Sequence, residues 1–489
     1  MVKGGVWYNA VMPRQLIKTL FLAAVALACS APALLAQVDA GTRQLSHDIL
    51  KQLIEINTTD SVGSTTVAAE AMARRLRDAG FPASDVVVLG PNPRKGNLVA
   101  RLHGTGAHRP VFLIGHLDVV EARRSDWTSD PFQFVEKDGY FYGRGTQDMK
   151  SDDAIWVTEF IRLKREGFKP DRDLILALTA DEEGGLSNGV DWLIKNHRDL
   201  IEAEFVLNSD GGGVDTQDGK PLIISMDASE KLYADFQLTV TSPGGHSSLP
   251  VPDNAIYHLA DALVRLKNFQ FPLELNDVTR TYFERMASVE TGQEAADMRA
   301  VASIPPDPTA AARLSLDPLQ NATLRTTCVA TRLEAGHANN ALPQSARANV
   351  NCRILPGHTR EEVRQVLMRV LADPRVDVRY VDNSGRVLNS APNGQALPPV
   401  KLRPDVMQTL DKVAGEMWPG VPVIPTMSTG ASDGIYTNAA GMPTFGVSGV
   451  AIDMNDVRAH GRDERLRVES FYQGVDFYYR YLKALTSGH

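Results

Sequence analysis

The chain is poor in cysteine and has no dense run of basic residues. Its three cysteines, Cys29, Cys328 and Cys352, are too few for a disulfide framework. Acidic residues outnumber basic ones by 59 to 51, and the formal charge is -8. Because nucleic-acid-binding proteins usually have a basic face or stretch, no nucleic-acid partner is expected. After the N-terminal segment, no apolar run is long enough to cross a membrane. With 43% hydrophobic residues, the sequence predicts a folded globular protein of two or three domains.

The N-terminal segment has the pattern of a secretory signal peptide, which we assign to residues 1–36. Two basic residues, Arg14 and Lys18, precede an apolar run over 20–28, and small residues follow it. The run is too short to span a bilayer. We therefore expect a secreted or periplasmic protein without a membrane span. Lipid anchoring at Cys29 is the less favoured alternative, because the residues before it match a lipoprotein cleavage box poorly.

The first half of the chain alternates buried strands with helices. Short apolar runs at 111–114, 174–178 and 205–207 predict buried strands, and amphipathic patterns at 152–165 and 188–198 predict helices between them. This alternation is typical of an α/β fold with a mostly parallel central sheet and helices on both faces.

The pattern changes near residue 230 and changes back near residue 395. Residues 235–240 and 347–354 alternate between apolar and polar positions, as antiparallel strands with one wet face do. We predict an inserted α+β domain over 231–394, which divides the catalytic domain into 37–230 and 395–489. Residues 271–325 receive no assignment beyond a helical piece and a proline-rich stretch.

Polar residues gather just past the ends of the predicted strands. The segments are His116-Leu117-Asp118, Asp181-Glu182-Glu183-Gly184 and Asn208-Ser209-Asp210-Gly211-Gly212, and a glycine-rich loop, 143–150, delivers Asp148 before a helix. Taken alone, each segment is explained as well by an ordinary loop histidine or a solvated turn as by a functional site. Together they predict one site, because ligands of open α/β sheets bind at the carboxyl ends of strands. Histidine and carboxylates form a ligand set suited to zinc, or to manganese or cobalt.

These motifs, together with a late histidine, His460, resemble the five signatures of the co-catalytic zinc exopeptidases of metallopeptidase family M20. That family includes glutamate carboxypeptidase, aminoacylases, carnosine dipeptidase and succinyl-diaminopimelate desuccinylase. The resemblance implies a zinc-exopeptidase catalytic domain, interrupted by a ferredoxin-like lid and dimerisation domain. It also implies a cis peptide between Asp148 and Met149.

The resemblance further implies the role of each candidate residue. Asp148 would bridge two zinc ions, with Co²⁺ or Mn²⁺ as alternatives. His116 and Asp210 would complete one metal site, and Glu183 and His460 the other. Glu182 would act as general base towards a hydroxide held by both ions, and Asp118 would orient the ring of His116, as carboxylates behind metal-bound imidazoles do.

The inserted domain would bind the substrate. His246, in the turn Gly244-Gly245-His246-Ser247-Ser248, resembles the histidine that stabilises the oxyanion, in several relatives from a partner subunit, so a homodimer is expected. Arg353 resembles the arginine that binds a substrate carboxylate. Asn340 and Gly430 are further candidates for lining the pocket. Without the resemblance, a surface histidine and an exposed strand arginine explain the first two equally well.

The resulting hypothesis is a metal-dependent hydrolase that cleaves an amide or peptide bond next to a free carboxylate, of the dipeptidase or carboxypeptidase type. An N-acyl-amino-acid deacylase of the aminoacylase type is the close alternative, because both reactions release a carboxylate and an amine. A catalytically silent metal-binding or scaffold protein is the alternative from another class. Serine hydrolysis through Ser247 or Ser248 lacks the Gly-x-Ser-x-Gly context of the known hydrolases.

Overall fold

The computed structural model describes residues 38–382, 384–392, 396–397, 399–430 and 432–488. The expected signal peptide and Cys29 lie outside these residues, as does part of the expected domain boundary near 394. Among the described helices, none combines the length and apolar character that a membrane crossing requires.

The described strands fall into four sheets. In chain order they are β1 (Val86–Leu89), β2 (Asn97–Leu102), β3 (Val111–His116), β4 (Val135–Lys137), β5 (Tyr140–Tyr142), β6 (Leu174–Thr179), β7 (Phe205–Asn208), β8 (Gly213–Gln217), β9 (Lys220–Glu230), β10 (Leu232–Thr241), β11 (Gly245–His246), β12 (Thr327–Ala335), β13 (Ala341–Leu342), β14 (Ser345–Ile354), β15 (Asp377–Val381), β16 (Val387–Leu388), β17 (Val423–Ser428), β18 (Thr444–Gly446), β19 (Ala451–Asp453) and β20 (Arg465–Arg467).

The α-helices connect and cover these strands. They are α1 (Ala40–Glu55), α2 (Thr65–Asp78), α3 (Lys150–Arg165), α4 (Gly189–Asn196), α5 (Arg198–Ile201), α6 (Ala255–Asn268), α7 (Asp277–Met286), α8 (Gly292–Ala302), α9 (Pro308–Leu314), α10 (Pro318–Leu324), α11 (Arg360–Leu371), α12 (Pro404–Met417), α13 (Gly434–Ala439) and α14 (Val468–Thr486).

The largest sheet has ten strands in the order β1-β2-β6-β3-β7-β18-β9-β8-β19, with β17 beside β9. Its centre, β6-β3-β7-β18, is parallel, and β1 and β2 add antiparallel strands at one side. The predicted α/β class and the three buried strands are confirmed. Because strand side chains alternate between faces, Val111 and Leu113 join the core beneath α3, whereas Phe112 and Ile114 pack with Leu193 of α4 on the other face.

The second sheet is antiparallel, in the order β12-β14-β10-β15-β16. Helices α6 and α11 pack against it, and their apolar faces meet alternate residues of β10 and β14 such as Phe236 and Val350. Leaving out β16, the short strands β11 and β13 and the helices α7–α10, the chain order β10-α6-β12-β14-α11-β15 with this strand order is the ferredoxin-like arrangement. Helix α11 begins at the predicted capping box, in which Thr359 and Glu362 bond each other's backbone nitrogen.

The segment that the sequence analysis left unassigned, 271–325, forms the four helices α7–α10. Helix α7 packs against β17 of the large sheet, and Phe283 and Met298 share a core with Ile424 of that strand. This part of the expected inserted region therefore packs against the large sheet.

A disulfide joins Cys328 of β12 to Cys352 of β14. The two strands pair with these residues directly opposite each other. Cysteine counting excludes a framework of several disulfides but did not predict this single bridge, because register between distant strands is not visible in the cysteine spacing.

Candidate active site

The site forms where the central parallel strands end. Strand β3 ends at His116, which lies opposite Thr179 at the end of β6, and Asn208 ends β7 on the other side. Parallel strands present their carboxyl ends at one edge of a sheet. The polar residues that follow these strands therefore meet although they are far apart in sequence.

Two groups of three side chains lie close enough to hold metal ions. In the first, Nε2 of His116 is 3.2 Å from Oδ1 of Asp148 and 3.7 Å from Oδ1 of Asp210. In the second, Nε2 of His460 is 3.0 Å from Oδ2 of Asp148 and 2.7 Å from Oε1 of Glu183. Within each group the ligand atoms lie within 4.8 Å of one another. Asp148 belongs to both groups and offers a different oxygen to each.

The chemistry of these donors fits a pair of divalent cations. The buried Nε2 of His116 has no hydrogen-bond partner among the described residues. Its Nδ1 donates to the backbone oxygen of Asp118 at 3.0 Å, which leaves Nε2 free to bind a metal ion. Zinc, cobalt and manganese all accept this set of imidazole and carboxylate ligands.

Electrostatics also favours positive charge at this place. Hydrogen bonds to Asp148 and Glu183 raise the pKa of His460 to about 10. Burial lowers the pKa of His116, but Asp148 and Asp210 outweigh it and raise that pKa well above its usual value. Carboxylates packed this closely repel one another unless a cation lies between them.

Asp118 has a different set of contacts from the one expected. Its carboxylate accepts hydrogen bonds from the backbone nitrogens of Glu182 (3.1 Å) and Glu183 (3.0 Å). Its Oδ1 is 3.9 Å from Nδ1 of His116, so it is the backbone oxygen of Asp118 that fixes the ring. The side chain instead holds the segment that carries the other two acids.

Glu182 is half-buried beside this cluster. Its carboxylate has no hydrogen bond to a described side chain or backbone group, whereas Glu183 next to it contacts His460. Burial, reinforced by the charge of Asp210, raises the pKa of Glu182 well above its usual value. Two adjacent acids thus have different surroundings, one among the metal ligands and one free to exchange a proton.

The loop that carries Asp148 is held by a buried acid, Glu464. Its Oε1 accepts from the backbone nitrogens of Gln147 (2.6 Å) and Asp148 (3.1 Å), and its Oε2 from Nη1 of Arg144 (2.6 Å) and the backbone nitrogen of Gly145 (3.1 Å). Gly145 has φ +95°, and a Cβ there would lie 2.8 Å from Cδ of Lys150, so the turn requires glycine. The peptide between Asp148 and Met149 is cis, as the family resemblance implied.

Comparison with known proteins agrees with this geometry. The model of peptidase family M20/M25/M40 matches residues 112–484, most of the chain. The chain belongs to peptidase family M20/M25/M40. A probable carboxypeptidase S-like 2 of Dictyostelium discoideum is 30% identical over 402 residues, 77% of this chain and 71% of that protein. The N-fatty-acyl-amino acid synthase/hydrolase PM20D1 of Xenopus tropicalis is also 30% identical, over 76% of this chain and 71% of its own length.

Solved M20 structures have the same fold. The metallo-carboxypeptidase Sso-CP2 of Sulfolobus solfataricus superposes with a TM-score of 0.66 at 17% identity, covering 91% of this chain and 99% of that one. The expected family and fold are thus confirmed. Like the other members of the family, the M20 chain described here is a metal-dependent hydrolase of peptide or N-acyl-amino-acid bonds.

The expected substrate residues of this M20 chain lie in two locations. His246, in β11, is exposed and pairs with Ala341 of β13 in a separate two-stranded sheet, and Asn340 directly precedes β13. Nδ1 of His246 is 2.7 Å from Oγ of Ser248, and no acid among its described hydrogen-bond partners completes a serine triad. Neither His246 nor Asn340 is hydrogen-bonded to the metal-ligand candidates of its own chain within the described residues.

Arg353 lies with Gly430 at the junction of the two sheets. From β14, its Nη1 donates to the backbone oxygen of Thr429 at 3.1 Å, and its guanidinium lies 4.8 Å from the ring centre of Tyr233. Burial lowers the pKa of Arg353. No ion pair of Arg353 is found within the described chain, which leaves its charge available to an anionic substrate.

Sequence reasoning missed several residues that shape the site. Glu464, Gln147 and Lys95 hold the loops of the ligands, and Asp433 accepts a hydrogen bond from Asn188 (2.6 Å) behind them. Glu464 lies in the same loop as His460. An acid so close to a predicted ligand is a signal for further inspection, but only the fold shows which backbone groups it binds.

Proposed function

We propose that this protein hydrolyses the amide bond between an acyl or aminoacyl group and an amino acid whose carboxylate is free. The observation that carries this proposal is the shared carboxylate of Asp148 between two ligand groups, with Glu182 unligated beside them. Two divalent ions in these groups would supply a polarised carbonyl and a water of lowered pKa. We propose zinc as the native metal, since the ligand set suits it.

The residues of the chain then have separate tasks. Glu182 accepts a proton from the attacking water, whose oxygen bonds to the carbonyl carbon. The same carboxyl group returns the proton to the amide nitrogen as the carbon–nitrogen bond breaks, and the remaining proton of the new carboxylic acid passes to the released amine or to solvent, which leaves a carboxylate. Burial and the charge of Asp210 raise the pKa of Glu182, which favours uptake of the proton.

Arg353 would bind the free carboxylate of the substrate. A guanidinium can donate two parallel hydrogen bonds to a carboxylate, and this one is already held against Thr429 and Tyr233. Gly430 directly follows Thr429, so a substrate carboxylate on Arg353 would contact this loop. This placement fits a carboxypeptidase or dipeptidase, our first candidate, and equally any hydrolase whose substrate has a free carboxylate next to the cleaved amide.

An N-acyl-amino-acid hydrolase is the second candidate. The relative from Xenopus tropicalis, which is 30% identical, is named as a synthase and hydrolase of N-fatty-acyl amino acids. Substrates that share one amino acid separate the two functions: alanyl-leucine, N-acetyl-leucine and N-dodecanoyl-leucine, each with its leucine amide as a control. The substrate with the highest kcat/KM among the three that have a free leucine carboxylate identifies the function. If the leucine-amide controls are cleaved equally well, the enzyme does not recognise the carboxylate.

A Glu182→Gln variant tests the chemistry. We expect kcat to fall by about 10² to 10⁴ with both metal ions retained, because the glutamine cannot accept the proton. Glu202→Gln, which changes a surface acid in an ion pair with Arg198, is the matched control. Undiminished turnover by Glu182→Gln with full metal content would remove Glu182 from this role. No turnover by the unaltered protein with any metal or substrate would favour a binding protein.

We also propose that His246 serves the site of a partner subunit. His246 is exposed in the two-stranded sheet of β11 and β13, and the second sheet has β12 as an edge strand on which Val329 and Leu333 are exposed. Mixing two inactive variants, His246→Ala and Glu182→Gln, tests this directly. Mixed dimers would regain activity if each site takes His246 from the partner, and would stay inactive if both residues act within one chain.

We propose a location outside the cytoplasm. The signal-like leader supports it, and the disulfide between Cys328 and Cys352 is the kind of bond that persists in oxidising compartments. Fractionation of the producing cells, with the N-terminus of the product sequenced, checks both the location and the cleavage site.

A further inference from the structure

The segment that carries Glu182 is held from behind by the turn between β1 and β2. The backbone nitrogen of Ala180 donates to Oδ1 of Asn97 at 2.9 Å. The next residue, Asp181, forms a buried ion pair between its Oδ1 and Nζ of Lys95. Two consecutive residues immediately before Glu182 are thus fixed by side chains from a different part of the sheet.

Lys95 is well suited to hold Asp181. Its side chain is 10% exposed and that of Asp181 is 1% exposed, so the pair is shielded from water and salt. The same Nζ also donates to Oδ1 of Asp60 at 2.6 Å, which connects it to the loop after α1. An ammonium bonded to two carboxylates has little freedom to move, and neither does Asp181.

Asp181 also determines the course of the chain beyond Glu182. Its φ of +59° is in the left-handed region, and its Oδ2 accepts from the backbone nitrogen of Ser187 at 3.1 Å. A Cβ on Gly185 would lie 2.3 Å from that oxygen, so the chain folds tightly over the carboxylate. A residue in this left-handed conformation is retained only where its contacts enforce it. For Asp181, the ion pair with Lys95 is the charged one of these contacts.

The opposite side of the segment is held by Asp118, which accepts from the nitrogens of Glu182 and Glu183. The backbone is therefore fixed on both sides. The carboxylate of Glu182 has no described hydrogen bond of its own, so its position depends on this backbone. Glu183 differs, because its contact with His460 holds it in addition.

We propose that Lys95 is a positioning residue for Glu182, acting through Asp181. This inference rests on the proposed role of Glu182 as the base. Without the ammonium of Lys95, the metal ligands would still be held by their own contacts, but the carboxylate of Glu182 would no longer have a fixed position. Displacement of a catalytic group by about 1 Å can lower the rate by about 100-fold.

The test measures kcat, KM and metal content for Lys95→Met, Lys95→Arg and the control Lys195→Met. Lys195 pairs with Asp191 on the exposed surface of α4, so its loss should change none of the three quantities. For Lys95→Met we expect kcat to fall about 10- to 100-fold, with KM within about twofold and full metal content. Lys95→Arg, which keeps the charge, should restore most of kcat. Unchanged kcat in Lys95→Met, or equal loss of metal and activity, would overturn the proposal.

Combining Lys95→Met with Glu182→Gln distinguishes the positioning role of Lys95 from the catalytic role of Glu182. In Glu182→Gln, adding Lys95→Met should not lower the residual rate further, because the base is already absent. A further fall of the same size would show that Lys95 acts elsewhere and would overturn the positioning role. If Glu182→Gln alone keeps full activity, the proposed function fails. If it loses activity while Lys95→Met does not, only the positioning role fails.

Burial of an unpaired Asp181 could prevent Lys95→Met from folding, so a neutral pair is the second variant. Lys95→Gln with Asp181→Asn keeps hydrogen-bonding groups at both positions without charge. We expect this double variant to fold and to show a reduced kcat, with KM and metal content unchanged. Wild-type kcat in the double variant would overturn the requirement for the ion pair.

Discussion

Glu464 accepts a hydrogen bond from the backbone nitrogen of Asp148 at 3.1 Å, although the two residues are 316 positions apart in the chain. Glu464 lies in the loop of His460, and Asp148 is the carboxylate that faces both histidines. Gln147 strengthens this link, because its Oε1 accepts from the backbone nitrogens of Arg458 (2.7 Å) and Ala459 (2.9 Å). Two ligand loops that are far apart in the sequence are thus joined by partly buried hydrogen bonds.

The first prediction concerns metal affinity in Glu464→Gln. The amide weakens the bonds to three backbone nitrogens and leaves the buried guanidinium of Arg144 without its counter-charge. Residues that support metal ligands typically contribute 10- to 100-fold to affinity, so we expect a loss of about that size. Because Asp148 belongs to both ligand groups, both ions should be affected. Titration of the metal-free protein with zinc, followed by calorimetry, measures this.

Glu136→Gln is the control for that titration, since Glu136 is exposed and His47 is its one ion-pair partner among the described residues. Breaking a buried ion pair also costs about 3–5 kcal/mol of stability, so the titration must be done on protein shown to be folded by circular dichroism. Wild-type affinity for both ions in a folded Glu464→Gln variant would contradict the role assigned to this hydrogen-bond network.

The second prediction concerns removal of the metal ions. Without them, the carboxylates of Asp148, Glu183 and Asp210 remain close together, and a ligand that binds only the folded state stabilises it. Dialysis against a chelator should therefore abolish hydrolysis and lower the melting temperature, and zinc should restore both. Cobalt and manganese are the metals to compare with zinc. Full activity in excess chelator would exclude the metal mechanism and revive hydrolysis through Ser247 or Ser248.

The ligand groups could be predicted from the sequence because most of the ligands follow directly after predictable strands. His116 and Asp210 are examples: apolar runs identify the strands, and the parallel sheet brings their ends together. Glu464 and Lys95 could not be predicted in the same way. Both act on backbone groups or on another side chain far away in sequence, and their partners become visible only when loop conformations are known.

The packing of helices α7–α10 could not be predicted from the sequence either. The sequence indicates only one helical piece there, and only the fold shows four helices, of which α7 packs against β17 of the large sheet. The cysteine pair is similar, since Cys328 and Cys352 meet through strand register. In contrast, the alternation in β10 and β14 predicts antiparallel strands directly, whereas their ferredoxin-like order was implied only by the family resemblance.

The third prediction concerns substrate binding by Arg353. Arg353→Gln removes the charge and should raise KM about 10- to 100-fold with little change in kcat, as expected for the loss of a charge-assisted hydrogen bond of about 1.5–3 kcal/mol. Arg353→Lys should recover only part of the loss, because an ammonium lacks the planar fork. Steady-state kinetics with a dipeptide and with its C-terminal amide measures the effect.

The amide is the internal control, since it has no carboxylate for Arg353 to bind. Arg379→Gln, on exposed β15 of the same sheet, is the matched variant and should behave as the wild type. An equal rise in KM for acid and amide in Arg353→Gln would show that Arg353 supports the fold of the junction and not the carboxylate.

The fourth prediction concerns the pH dependence of stability through Glu159 of α3. This side chain is fully buried, neither carboxylate oxygen has a hydrogen-bond partner among the described residues, and Nη1 of Arg162 is 3.9 Å away. Burial raises the pKa of Glu159 to about 8, above its usual value of 4.5. Between these two values the folded state keeps a proton that the unfolded state releases. The free energy of unfolding should therefore fall as the pH rises, by up to about 1.4 kcal/mol for each pH unit.

Glu159→Gln removes this proton exchange, because glutamine resembles the protonated acid and does not titrate. Relative to the wild type, the variant should be close in stability at pH 5 and clearly more stable at pH 8, since only the wild type must keep a buried carboxyl protonated there. Urea unfolding at both pH values measures the difference, with Glu70→Gln on the exposed face of α2 as the control. A stability difference between variant and wild type that is the same at pH 5 and pH 8 would mean that Glu159 is ionised in the folded protein, with Arg162 as its counter-charge.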